Sequence, residues 1–153
     1  FISRPDQLLL MEMGVDGPVL PDLRIRLGSL PMDDAARDEN HHEFLGEEMI
    51  EDIRSSADET GLLSYTTVFK KKWDGSLKGF LVEARVIPEG GSMDRKEEWL
   101  HIQNATKLNL VAKVVLSYDL PLPSGTGLDQ KNLSDYASML ERHVAIHSEM
   151  FNR

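Results

Sequence analysis

The chain has 153 residues, 41% hydrophobic and 28% charged, with a formal net charge of −9, which is one domain's length with enough apolar residues for a core. It has no cysteine, which excludes disulfides, thiolate metal sites and a cysteine nucleophile. Its apolar runs are far shorter than the roughly 18 residues a membrane-spanning helix requires, and its negative balance argues against nucleic acid or anionic membranes as partners.

The first 32 residues contain Pro5, Pro18, Pro21 and Pro31. Prolines at that density leave only short extended pieces such as LLLMEM (8–13) and LRIRL (23–27), so 1–32 is expected to be an arm or edge strands, followed by one α+β domain over 33–153. Leu23, Ile25 and Leu27 alternate with Arg24 and Arg26, the period of a strand. The start lacks the basic and apolar regions of a secretion signal. Together with the lack of cysteine, this gives a cytoplasmic expectation.

The acidity is concentrated early. Residues 1–60 carry a net −10 and residues 61–153 a net +1, and most of the acids lie in DDAARDENHHEFLGEEMIEDI (33–53). Behind capping candidates Asp38, Glu39 and Asn40, the residues Leu45, Met49, Ile50, Ile53 and Ala57 recur at spacings of three and four. That pattern predicts an amphipathic helix ending near Gly61. Glu43, Glu47 and Glu51 would line an outer face of it and offer an acidic surface to a basic partner.

FKKKWDGSLKGF (69–80) sits between two alternating apolar runs, and its Asp74-Gly75 step is a strong hairpin signal. Taken as a two-residue turn, it pairs Phe69 with Phe80, Thr67 with Val82, Tyr65 with Ala84 and Leu63 with Val86, giving a hairpin over about 62–88 with one apolar face. A three-residue turn would scatter the apolar residues over both faces. Lys71, Lys72 and Lys78 then belong to the solvated end of the ribbon. Trp73 at the tip is the residue that an ordinary hairpin explains least, so Trp73 and these lysines are candidates for a partner contact. A nucleic-acid role would call for a broader basic face.

EGGSMDRKEE (89–98) is expected to be a polar loop or a first helical turn. In KLNLVAKVVLSYDL (107–120), Leu108, Leu110, Ala112, Val114, Leu116 and Tyr118 share one face at period two, which predicts a strand; a long helix from Met93 is the competing reading. LPLPSGTG (120–127) is a loop. Leu133, Tyr136, Ala137, Leu140, Val144, His147 and Phe151 form the stripe of a final helix.

His143 and His147, four apart on that helix, can share a metal ion if a carboxylate from the first helix joins them. An interfacial histidine pair is the plainer reading. His41-His42 with Glu39 gives one Glu-x-x-His, where a di-iron bundle needs two. There is no G-x-S-x-G elbow, and the glycine-rich segments match neither a P-loop nor a dinucleotide fingerprint.

The expected fold is therefore α+β: an antiparallel sheet built around the hairpin, packed by a helix in the N-terminal half and by the C-terminal helix. The expected function is a non-enzymatic protein–protein interaction or assembly domain without a cofactor. Its partner would be a protein or a second copy, met through the acidic face, the Trp73 tip or the proline-broken segment. The alternatives are a metal-dependent protein using His143 and His147, and an acidic mimic that inhibits a basic protein.

Overall fold

In a computed structural model of the chain, residues 1–3, 6–28, 49–70, 73–128 and 136–151 are described. Among them are nine strands and one helix: β1 (Ile2–Ser3), β2 (Leu8–Gly14), β3 (Leu23–Ile25), β4 (Ile50–Ala57), β5 (Leu62–Phe69), β6 (Gly79–Glu89), β7 (Ser92–Lys96), β8 (Trp99–Gln103), β9 (Lys107–Ser117) and α1 (Tyr136–Phe151). The strands form a six-stranded sheet in the order β1-β2-β9-β6-β5-β4 and a three-stranded sheet in the order β3-β8-β7, antiparallel throughout.

Among the described residues the fold is thus mostly β, with one C-terminal helix, and the α+β expectation is corrected. The decisive segment is 50–57. It is not the end of a helix but β4, an edge strand antiparallel to β5, with Ile53 opposite Thr67 and Ala57 opposite Leu63. The periodicity misled for a simple reason. Ile53 and Ala57 are four apart, which is one face of a helix but also one face of a strand, because four is a multiple of two, and a bulge between Ile50 and Asp52 brings Ile50 opposite Phe69 onto that same face. The ladder with β5 then decides, helped by Ile50, Ile53 and the Ser55-Ser56 pair, which are weak helix formers. The part of the predicted helix before residue 49 lies outside the described residues.

The centre of the large sheet follows from its sequence. β6 and β9 pair over their full eleven residues, from Gly79 with Ser117 to Glu89 with Lys107. Pro88 lies past the last β5 partner of β6, where no neighbouring strand requires its missing N–H. Leu8–Gly14 enters the large sheet beside β9, and Leu23–Ile25 joins the small one. The stretch read as a loop or helical turn, together with WLHIQ, is the β7–β8 hairpin, so the long-helix reading from Met93 falls.

The small sheet lies on one face of the large one. Leu63, Ala84, Val86 and Leu108 from the large sheet meet Leu100 and Ile102 from β8, closed by Leu20, Ala57 and Ala105. On the opposite face, α1 and Leu128 cover β1, β2 and β9, with Met139 and Leu128 against Leu10 and Val111, and with Phe1, Leu8 and Tyr136 around them. Arg142 Nη2 bonds Asp6 Oδ1 at 3.0 Å, and Ser3 Oγ donates to Asp6 Oδ2 at 2.6 Å, tying the helix to the start of the sheet. The Ser3 hydroxyl holds the Asp6 carboxyl below its ordinary pKa despite some burial, and Arg142 adds to this.

Candidate interaction surfaces

The hairpin tip forms as a turn, but not in the expected register. Ser76 N donates to Trp73 O at 3.0 Å, and Gly75 takes φ 74°, so Asp74 and Gly75 do reverse the chain. The strands, however, pair Leu63 with Ala84, Tyr65 with Val82 and Thr67 with Phe80. Every partner is shifted by two residues from the two-residue-turn prediction. Three residues (70–72) separate Phe69 from Trp73, whereas Leu77 alone separates Ser76 from Lys78, and Phe69 N donates to Lys78 O at 2.9 Å. The asymmetric tip absorbs the shift. Because the shift is even, each side chain keeps its predicted face. Phe69 therefore packs diagonally on Phe80, ring centroids 6.1 Å apart, and Tyr65 reaches the same ring at 6.1 Å.

Trp73 is 60% exposed at this tip. Lys78 is part of the turn itself: its Nζ donates to Trp73 O and, at 3.1 Å, to Ser76 Oγ. Lys71 and Lys72 lie outside the described residues, as do Glu43 and Glu47. Glu51 is exposed on β4 and lines a shallow cleft of about 740 Å³ with Asp52, Arg54, Ser64, Thr66 and Leu122. Arg54 Nε sits 2.7 Å from Asp52 Oδ2, so this cleft holds a local ion pair in open surroundings. Beside it, buried Glu83 accepts hydrogen bonds from Thr126 N (2.8 Å) and Thr126 Oγ1 (2.6 Å), which pins the 119–128 loop onto the sheet.

His143 and His147 meet on α1 with ring centroids 4.3 Å apart and planes tilted by 47°, and Phe1 lies 4.9 Å from His143. The pair belongs to the seam between helix and sheet. Among the described residues no three His, Asp or Glu side chains gather as a metal site. Glu51 cannot join the two histidines. Its strand is one edge of the large sheet and β1, beside α1, is the other, five strand spacings or roughly 24 Å away.

The surface that the sequence reading did not single out is the rest of the face on which the small sheet lies. Cross-strand partners share a face, so Leu9, Met11 and Met13 of β2 continue the row of Ala112, Leu110 and Leu108. Val114 and Leu116 of β9 lie opposite Val82 and Phe80 of β6, which in turn lie opposite Tyr65 and Thr67. Ile53 completes the row on β4. Among the described residues the small sheet covers one corner of this face and leaves a remainder beside it, in which Thr67 is buried between its neighbours. Val114 is 57% exposed there, Leu116 56%, Met11 50% and Ile53 44%. The positions named on this remainder are Leu, Met, Val, Phe, Tyr, Thr and Ile, with no charged residue. The signal was present in the 108–118 alternation, whose apolar row runs past the part that the small sheet covers.

Compared with protein-family models the chain matches none, and no curated protein matches it either. No helix among the described residues is long and apolar enough to cross a membrane.

Proposed function

We propose that the chain is a non-enzymatic interaction domain whose docking surface is the open apolar face of its large sheet. The observation that carries this reading is the uncharged row of exposed Leu, Met, Val and Ile side chains over β2, β9 and β4. The largest contiguous apolar patch on a protein surface is often its interaction site. The acidic stretch and the Trp73 tip become secondary surfaces, suited to steering and orientation rather than to the main contact.

Affinity capture with three forms of the chain tests the reading. The wild type should retain a partner that the Val114→Lys/Leu116→Lys double variant loses and that Trp73→Ala retains. A partner kept by the lysine variant but released by moderate salt would transfer the function to the acidic surface and support the mimic reading instead.

A further inference from the structure

The open face is bounded by a step, and the step restricts what can cover it. The three-stranded sheet stands about 10 Å above the large sheet, the usual separation of packed β-layers. Its inner side is Leu23, Ile25, Met93, Leu100 and Ile102, and its outer side is charged. Arg24 and Asp94 flank His101 there, Lys96 pairs with Trp99, and Arg26 lies over the Trp99 ring at 4.6 Å. An occupant of the remaining face must therefore fit beside the small sheet, at the same height, with an apolar underside.

On this basis, and resting on the interaction-domain reading above, we propose that the occupant is a second β-layer: antiparallel strands of another polypeptide segment, apolar on the inner side. They would lie next to β3-β8-β7 and continue that layer across β2, β9, β6 and β5. Three observations carry this. The open row is continuous with the buried row in the same strands, Leu108, Leu110 and Ala112 running on into Val114 and Leu116. Six large apolar side chains of this face, Leu9, Met11, Met13, Ile53, Val114 and Leu116, are each between 38% and 57% exposed, so a partner layer has side chains to pack against along β2, β9 and β4. Its alternation at period two presents flat ridges that interdigitate with another sheet.

A second copy of this chain fits the step badly. Its own small sheet could enter the open area only if its large sheet lay over the first copy's Arg24, His101, Asp94 and Lys96, setting apolar side chains against charges. The acidic segment 29–48 is also a poor cover by composition: it carries seven acids and, of large apolar residues, only Leu30, Met32, Phe44 and Leu45.

The test uses the chain as it stands, an apolar fluorescent dye, and two synthetic peptides of equal length and charge. One peptide alternates valine and lysine as an amphipathic strand; the other has leucine and lysine at helical spacing. The expected result is a monomer by light scattering that binds the dye and takes up the strand peptide at least tenfold more tightly than the helical one. Val114→Lys/Leu116→Lys should abolish both signals. A dimer that the same substitutions dissociate would replace the β-layer by a second copy and leave the interaction-domain reading intact. Equal binding of both peptides would refute the β-layer alone. A monomer that ignores the dye would mean that the face is covered within the chain, and would overturn both readings.

Discussion

At the level of single residues, a few positions hold turns that no other side chain can. Gly91 takes φ 69° between β6 and β7, and a Cβ there would stand 2.1 Å from Gln103 O and 2.6 Å from Ala105 N. Neither contact can relax, because both atoms belong to backbone. Gly91→Ala should therefore lower stability by more than about 2 kcal/mol in chemical denaturation. Asp58 organises the β4–β5 turn: its Oδ1 accepts from Thr60 N at 2.8 Å, Thr60 Oγ1 at 2.7 Å and Leu62 N at 2.9 Å. Burial opposes ionisation of Asp58, but the Thr60 hydroxyl and the two amides outweigh it, and its pKa falls below the ordinary value. Asp58→Ala should cost about 1–2 kcal/mol at neutral pH. A carboxylate with a depressed folded pKa stabilises above its unfolded value of about 4, and that stabilisation is lost as pH falls through the folded value. The stability gap between wild type and Asp58→Ala should accordingly be full at pH 7 and close below about pH 4.

At the level of elements, faces were legible in the sequence and registers were not. The apolar alternation of 108–118 and the face shared by Leu63, Tyr65, Thr67 and Phe80 follow from side-chain period alone. The pairing offset in the β5–β6 hairpin does not, because it depends on how 70–72 and Leu77 divide the tip, and period-two reasoning cannot see an even shift. Residues 50–57 failed on the same arithmetic: a spacing of four satisfies both a helix and a strand. Of the candidate contacts, Trp73 is exposed and Lys78 is bound within its own turn. A lysine's bond to the carbonyl of a residue five positions earlier carries no sequence signature. Cysteine pairs test the register in a chain that has no cysteine of its own. Thr67→Cys with Phe80→Cys places the sulfurs on directly opposed residues and should oxidise readily. Phe69→Cys with Phe80→Cys spans a diagonal of about 7–8 Å and should oxidise poorly. The reverse order would restore the two-residue-turn register.

At the level of the whole molecule, the large sheet has three kinds of environment. Among the described residues, one corner lies under β3-β8-β7, the opposite face carries α1 and the 119–128 loop, and the remainder of the first face presents exposed, uncharged side chains. On the proposed reading, stability comes from the covered corner and binding from the open one. Substitutions should separate the two: truncation in the covered corner lowers stability, whereas charge on the open row lowers binding.

Chemical denaturation of two variants beside the wild type therefore tests the account most directly. Leu63→Ala, in the covered corner, should lose about 2–5 kcal/mol. Val114→Lys/Leu116→Lys, on the same face beyond the small sheet, should change stability by no more than about 1 kcal/mol. If the double lysine variant is destabilised as severely as Leu63→Ala, the face is buried in the isolated chain and the account is contradicted.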